Sequence, residues 1–298
     1  MTTPAEYARS YAQLSSWFWN GDDWVARRTP IVNYLQHNGS RQDRRAASAQ
    51  QALRALLPRA TGISNVNHLP TFNFNDYDYI NHSIDRCFIG KACPWEIQET
   101  LQLLSEIGGV AEGGLVDYCN SSLGVDCGGF VANYWGEGCP HMVNPSPAGW
   151  GGILPRYFWA NSSQWSSAVA RRRRSASAVS AGDAAIFFKD VKDNNPDIMK
   201  QRDSHGVFIQ GTGSEAFHIG LVSNVGFSGD DFTSLEIADS SGASSIYGGS
   251  GVNVRSIQTI VESGKSGNWV YCKSGANEWI YFVEPPGGWG PESAYNIS

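Results

Sequence analysis

A cysteine at the predicted start of a helix is the residue of this chain best placed for nucleophilic chemistry. Cys127 follows Asp126 and precedes Gly128, Gly129 and Phe130. The oriented N–H groups and the dipole of a helix N-terminus favour the thiolate, the nucleophilic form of cysteine. The two glycines carry no Cβ, so the backbone can turn sharply and let a substrate approach, while a backbone N–H faces a developing oxyanion. A buried structural cysteine in a glycine turn is the alternative interpretation.

Two later segments favour the catalytic interpretation. Residues 181–188, A-G-D-A-A-I-F-F, predict a turn into an apolar strand, and residues 217–222, F-H-I-G-L-V, predict a strand that begins with an imidazole. In the order D-C-x-G-F, G-D-x-x-x-F-F and H-I-G-L-V, the three segments resemble the NlpC-type cell-wall peptidases. This papain-like family of cysteine peptidases is itself similar to the CHAP amidases. The resemblance covers roughly residues 93 to 285.

The resemblance implies an α+β, papain-like fold in which the nucleophile lies at a helix N-terminus packed on an antiparallel sheet. It implies that Cys127 is the nucleophile and that His218 is the general base, which later protonates the leaving amine. A third polar residue should orient the imidazole from residues 235–240. Asp239, at the predicted end of that strand, is the first choice and Glu236 the second. Because side chains alternate along a strand, only one of these carboxylates can share a face with His218.

The chain departs from the family pattern at several supporting positions. Gly128 stands where the family has Ser, which removes a hydroxyl but keeps the backbone donor. Tyr118 is the candidate for the family's upstream Tyr, whose hydroxyl helps the oxyanion site, and Asp126 supports the helix start. The segment around His205, S-H-G-V-F-I, also resembles a histidine strand. We prefer His218 because H-I-G-L-V matches the family better and leads directly into the next strand.

The function implied is hydrolysis of an amide bond in the peptide stem of peptidoglycan, through a thioester on the cysteine. The peptide stem is then the partner to expect. A thiol acyltransferase or thioesterase on the same fold is one alternative, and a catalytically silent binding or structural module is another. No pair of histidines has metal-ligand spacing on one helix, so neither a catalytic metal nor another cofactor is predicted.

Composition excludes several other classes of protein. Of 298 residues, 41% are apolar and only 17% charged, which argues against a disordered chain or a coiled coil. A net charge of −6 argues against a nucleic-acid binder, and we expect the run Arg171–Arg174 to be a solvated loop. The longest apolar runs, such as Ala184–Phe188, are too short for a transmembrane helix.

The periodicity of apolar residues predicts helices first and strands afterwards, the order typical of an α+β domain with an antiparallel sheet. Helices are predicted over Arg41–Leu57, from Pro94 to Gly108-Gly109, and from Cys127 with Phe130, Val131, Tyr134 and Trp135 as its buried face. A loop is predicted between the last two. Strands are predicted over Ala184–Phe188, Val207–Gln210, Phe217–Asn224, Ser234–Asp239, Val252–Ile257 and Trp279–Val283.

The predicted organisation is an N-terminal extension of unknown role over residues 1–90, a peptidase domain over 91–286 and a tail over 287–298. With Cys127 as a working thiol, the other five cysteines permit two disulfides of unknown connectivity. No signal peptide is visible, yet the function implies a secreted or periplasmic enzyme, or one delivered to a target cell wall, as toxins and phage lysins are. A delivered toxin would have an immunity or inhibitor protein as partner.

Overall fold

The chain divides into two compact units. The computed structural model describes residues 2–19, 23–31, 33–35, 41–60, 84–107, 109–135, 172–189, 191, 204, 215–242, 251–266 and 269–285. The helical unit comprises Glu6–Gly151 and Ser240–Asn253. The sheet unit comprises Met1–Ala5, Gly152–Asp239 and Val254–Ser298. The predicted domain boundary at residue 90 therefore falls inside the helical unit.

Between residues 2 and 135 the described chain forms helices and one antiparallel hairpin. The helices are α1 (Pro4–Tyr11), α2 (Arg41–Ala60), α3 (Pro94–Glu106), α4 (Leu115–Ser122) and α5 (Cys127–Tyr134), and residues 84–88 are also helical. The hairpin consists of β1 (Ser15–Trp19) and β2 (Trp24–Arg28).

The predicted helices at Pro94 and Cys127 are confirmed, and local hydrogen bonds explain where each begins. Pro94 occupies the first turn of α3, and the Glu96 carboxylate accepts a hydrogen bond from the Cys93 N–H at 2.7 Å. At α5, Asp126 is the N-cap residue, and its Oδ1 accepts from the Gly129 N–H at 2.6 Å. The predicted buried face of α5 is buried in the structure: Phe130, Val131, Tyr134 and Trp135.

Tyr7 and Tyr11 of α1 belong to the core of the helical unit. The Tyr7 ring packs against Phe130 and Tyr134 of α5, with centroid distances of 5.3 and 5.5 Å. The Tyr11 hydroxyl donates to the Ala92 carbonyl at 3.1 Å, and this side chain is fully buried. Residues 1–90 were predicted as an extension, but these N-terminal aromatic residues pack directly around the helix that carries Cys127.

The sheet has seven strands, in the order β6-β5-β4-β3-β9-β8-β7. They are β3 (Ala184–Lys189), β4 (Glu215–Ser228), β5 (Asp231–Ser241), β6 (Gly251–Ser256), β7 (Glu262–Ser266), β8 (Trp269–Gly275) and β9 (Glu278–Val283). Strand β3 pairs antiparallel with both β4 and β9, and β4 pairs antiparallel with β5. Helices followed by an antiparallel sheet confirm the α+β class.

Several elements differ from the sequence-based prediction. The predicted loop before Gly124 contains α4, because Leu115 and Cys119, one helical turn apart, are both buried. Helix α2 continues past Pro58 to Ala60. The hairpin β1–β2 and the pair β7–β8 were not predicted; β7, E-S-G-K-S, lacks any apolar alternation and is a strand through its pairing with β8.

The prediction of a solvated loop at Arg171–Arg174 is wrong for its central residues. Arg172 is only 7% exposed and forms an isolated bridge with Val283 of β9. The Arg173 N–H donates to the Phe282 carbonyl at 2.8 Å, and its own carbonyl accepts from the Val270 N–H at 3.0 Å. Backbone pairing therefore holds this basic segment against the sheet, which a charge pattern alone does not reveal.

Some predictions lie outside the described residues: those at Cys139, His205, Arg171, residues 207–210 and the tail 287–298. Within the described residues, no helix is long and apolar enough to cross a membrane.

Candidate active site

Cys127, the first residue of α5, is partly exposed. The other described cysteines, which are Cys87, Cys93, Cys119 and Cys272, are buried, and no disulfide joins any of the five. The sequence permits two disulfides among the other five cysteines, but no disulfide forms between described cysteines. Burial raises the pKa of the Cys87 thiol well above its usual range, so that side chain is a poor nucleophile. Cys127 is thus the described cysteine most accessible to a substrate.

The two glycines after Cys127 have different roles. A Cβ at Gly129 would lie 2.5 Å from the Gly90 carbonyl oxygen, so this position must be glycine for the chain at residues 90–91 to pack against α5. A Cβ at Gly128 would lie 3.6 Å from Asp126 Oδ1 and 3.7 Å from Lys91 Nζ, which is ordinary contact. The sequence suggested that both glycines open a path for substrate; at Gly129 the missing side chain instead makes room for backbone.

Buried charged side chains contact both ends of α5. Lys91 Nζ forms an ion pair with Asp126 Oδ2, while Asp126 Oδ1 caps the helix. Arg86 Nε donates to Glu96 Oε1 at 2.8 Å, and Arg86 Nη2 donates at 2.7 Å to the side-chain oxygen of Asn133, near the C-terminal end of α5. Burial raises the pKa of Glu96, and the Arg86 charge acts in the opposite direction. Hydrogen-bonded charged side chains therefore hold both ends of the helix.

In the sheet unit, His218 of β4 and Asp239 of β5 are joined by a hydrogen bond. His218 Nε2 lies 2.7 Å from Asp239 Oδ2, and the two residues are 9% and 1% exposed. The Phe187 ring on β3 packs against the imidazole, with a centroid distance of 5.2 Å. Because a carboxylate only accepts hydrogen bonds, Nε2 donates, and the lone pair of the neutral ring is on Nδ1. This arrangement orients His218 to accept a proton at Nδ1.

Glu236 does not contact His218 through any hydrogen bond that the described residues show; its Oε1 accepts from Ser256 Oγ at a long 3.5 Å. The alternation along β5 explains the difference, since Glu236 and Asp239 lie on opposite faces. The second oxygen of Asp239, Oδ1, lies 3.4 Å from Nε of Arg255, a β6 residue that is only 6% exposed. Asp239 thus lies between an imidazole and a guanidinium.

Gly220, two residues after His218, makes room for Asp239. A Cβ at position 220 would lie 2.5 Å from Ile237 Cγ2 and 3.0 Å from Asp239 Cβ. The glycine of H-I-G-L-V therefore lets β5 bring its carboxylate beside the imidazole. Among the residues predicted for the site, the structure brings together His218 and Asp239 in the sheet unit. Asp126, Cys127 and Gly128 are consecutive in the helical unit.

Tyr118 lies on α4 with its ring edge-on to Phe88, at a centroid distance of 6.5 Å. Its hydroxyl is buried and makes no hydrogen bond within the described residues. Burial raises the pKa of this hydroxyl above its usual range. The oxyanion role of Tyr118 stays a prediction.

Asp183, the acidic residue of the G-D motif, has an architectural role. Arg173 binds it through two parallel hydrogen bonds, Nε to Oδ2 at 2.8 Å and Nη2 to Oδ1 at 2.7 Å. The Ser180 N–H also donates to Oδ2, at 2.9 Å. Burial raises the pKa of Asp183, while the bonds from Arg173 and Ser180 act against that rise. The motif therefore anchors the start of β3 to the basic segment.

Lys91 and Arg255 were not predicted from the sequence. Each pairs with a carboxylate beside a candidate catalytic residue, and each is distant from that carboxylate in the chain. One signal was present: Lys91 is the only charge in F-I-G-K-A-C-P, an apolar segment where a lysine has to be buried or paired. As for metals, no group of three or more His, Cys, Asp or Glu side chains converges among the described residues.

Comparison with known proteins adds no family assignment. No protein-family model, no curated protein and no solved structure matches the chain. Its functional interpretation therefore depends on the chemistry of its own residues.

Proposed function

We propose that the protein is a cysteine amidase with a papain-like, NlpC-type arrangement, which cleaves an amide bond in the peptide stem of peptidoglycan. Cys127 is the nucleophile, His218 the general base and Asp239 the group that orients the imidazole. The substrate class comes from the resemblance of the three motifs to the cell-wall peptidases. Such an enzyme acts in the cell wall, so we propose that it is secreted, periplasmic or delivered to a target cell. In the last case an immunity protein would be its partner.

The reaction begins when His218 Nδ1 takes the proton of the Cys127 thiol and the thiolate attacks the amide carbonyl carbon. Backbone N–H groups at the start of α5 stabilise the oxyanion of the tetrahedral intermediate. As the C–N bond breaks, the imidazolium returns its proton to the leaving amine, and a thioester remains on Cys127. Water, deprotonated by the same imidazole, hydrolyses the thioester and restores the thiol.

The observation that carries the proposal is the hydrogen bond between His218 and the buried Asp239. An oriented carboxylate fixes the tautomer of a histidine and stabilises the imidazolium that forms when it acts as a base. A histidine that only filled space in the core would need no buried carboxylate, because burying a charge is costly. The partial exposure of Cys127 at a helix start supports the same interpretation from the side of the nucleophile.

The test is digestion of purified peptidoglycan by the full chain, followed by mass analysis of the fragments. We expect new amine and carboxyl termini in the peptide stem, and we expect Cys127→Ala to abolish them. Cys272→Ala, which changes a buried thiol of β8, is the matched control and should retain activity. Undiminished hydrolysis by Cys127→Ala would refute the proposal.

The same experiment assigns the base and the type of reaction. His218→Ala should abolish release of fragments while His205→Ala should not, and the reverse result would transfer the role to His205. If the acyl group on Cys127 is transferred to water, so that the fragments end in a free carboxylate, the enzyme is a hydrolase. Addition of an amine or alcohol supplied in the reaction would instead identify an acyltransferase that uses the same thioester.

A further inference from the structure

A lysine is buried beside the first turn of the helix that carries Cys127. Lys91 is only 8% exposed, and its ammonium pairs with Asp126 Oδ2. The position of a Cβ on Gly128, the residue after Cys127, would lie 3.7 Å from Lys91 Nζ. The ammonium is therefore adjacent to the backbone that follows the candidate nucleophile.

The backbone of Lys91 is held on both sides. Its carbonyl accepts from Arg86 Nη2 at 2.6 Å and from Asn133 Nδ2 of α5 at 3.0 Å, and its N–H donates to the Arg86 carbonyl at 2.9 Å. Next to it, Gly90 has a positive φ of 76°, which lets the chain turn there, and its carbonyl accepts from the Asp126 N–H at 2.8 Å. Lys91 is thus fixed to both ends of α5.

Stability alone does not explain this ion pair. Removing two charges from water costs several kcal/mol, about as much as their attraction returns, and buried pairs are often replaced by apolar residues without loss. Arg86 and Glu96, two further buried charges of the helical unit, form an ion pair with each other. Among the described residues, Asp126 is the carboxylate that pairs with Lys91.

Asp126 creates an electrostatic conflict for a cysteine nucleophile. Its carboxylate caps α5, which stabilises the helix, but it also brings a negative charge next to the residue that must become a thiolate. We infer that Lys91 is a positioning residue that cancels the charge of Asp126, so that the helix start is capped and yet remains favourable to the Cys127 thiolate. The inference rests on the proposed function for its purpose, although the charge effect can be measured without a substrate.

The test measures how fast iodoacetamide alkylates Cys127 in the full chain, from about pH 5 to about pH 9, a range that covers the ordinary titration of thiols. Mass analysis of the peptide that contains Cys127 separates it from the other cysteines. Each variant is first checked for folding by circular dichroism. Among the described residues of the helical unit, the charged or titratable groups joined to the start of α5 or to Lys91 are Asp126, Lys91, Arg86, Glu96 and Cys93, and the variants change only Asp126 and Lys91.

Lys91→Met should slow alkylation near neutral pH by roughly tenfold and move the profile to higher pH, because the charge of Asp126 is then uncompensated. Asp126→Asn, which keeps a cap acceptor and leaves Lys91, should do the opposite. Lys91→Met/Asp126→Asn should return the profile close to that of the wild type. If Lys91→Met does not fold, the other two variants decide.

A folded Lys91→Met with the wild-type profile would overturn the inference, as would an Asp126→Asn protein that alkylates no faster than the wild type. Both results would reduce the pair to a structural contact. The outcome is separate from that of the proposed function: the profile can shift as expected in a protein that cleaves no peptidoglycan, which would refute only the proposed reaction.

Discussion

The helical unit and the sheet unit each place a buried carboxylate next to a candidate catalytic side chain, and each pairs that carboxylate with a buried cation. In the helical unit these are Asp126 and Lys91 beside Cys127; in the sheet unit they are Asp239 and Arg255 beside His218. The carboxylates differ in what else they bind. Asp126 binds backbone, at the Gly129 N–H, whereas Asp239 binds the imidazole itself.

This difference separates two functions of a buried carboxylate. Asp126 fixes the start of a helix, so its removal should mainly reduce the free energy of unfolding. Asp239 fixes the orientation and tautomer of a ring, so its removal should mainly reduce the catalytic rate. The following changes test that division, beginning with the largest expected effect.

Asp126→Ala should reduce the free energy of unfolding by about 3–5 kcal/mol, because it removes the cap of α5 and leaves the Lys91 ammonium buried without its carboxylate. Urea denaturation followed by circular dichroism measures the change. Asp117→Ala, at an exposed position of α4, is the control and should alter stability by no more than about 0.5 kcal/mol. Equal effects of the two substitutions would show that the Asp126 pair contributes nothing special.

Asp239→Ala should lower the rate of peptidoglycan cleavage by about 100-fold without abolishing it, since the ring remains but is no longer oriented. Glu236→Ala, on the other face of the same strand, should leave the rate unchanged. Initial rates of fragment release, measured well below the thermal transition of each variant, provide the comparison. A larger loss for Glu236→Ala than for Asp239→Ala would reverse the assignment.

Gly220→Ala should cost about 1–3 kcal/mol of stability, because the new methyl group would overlap Ile237 and push Asp239 away from His218. Its cleavage rate should fall as well. Gly275→Ala is the matched control, since a Cβ there would have no neighbour within 4 Å. If Gly220→Ala keeps the wild-type rate, the close approach of β5 to β4 at Gly220 is not needed to orient the His218 imidazole.

Glu99→Gln tests a carboxylate of the helical unit whose pKa is raised, with no nearby cation among the causes to lower it. Burial, and then the charge of Glu96, raise the pKa of Glu99 from 4.5 to about 8. The folded protein therefore holds a proton that the unfolded chain releases, and the free energy of unfolding falls as pH rises between these values. Glu99→Gln should remove that decline, with a small gain in stability above about pH 8 and no change near pH 4. Parallel stability curves for the two proteins would contradict this expectation.

The elements that a local pattern determines were predictable from the sequence. Asp126 as a cap and the apolar face from Phe130 to Trp135 define α5 within ten residues, and β3 follows a Gly-Asp turn with a purely apolar run. Strand alternation predicted that only one of Asp239 and Glu236 can share a face with His218, and Asp239 was the first choice because it lies at the predicted end of the strand. The hydrogen bond to His218 is on Asp239.

The features that depend on distant pairing were not predictable. Strand β7 is polar and exists through its register with β8, and Arg172 is buried because the segment pairs with β9. Lys91 meets Asp126, and Arg255 meets Asp239, across separations that no local period encodes. The tertiary fold brings these charged residues together, so the partner of each one is identified only from the structure.

Neither unit is continuous in the chain, and this has a consequence for how the protein is made. The helical unit receives residues 240–253 only after the ribosome has produced β3, β4 and most of β5, and β3, at the centre of the sheet, gains its partner β9 only when residue 283 emerges. Pairing of residues so distant in sequence slows folding and leaves strand edges exposed during synthesis. The nascent chain should consequently depend on chaperones until its last strand is complete, and early termination should yield neither unit intact.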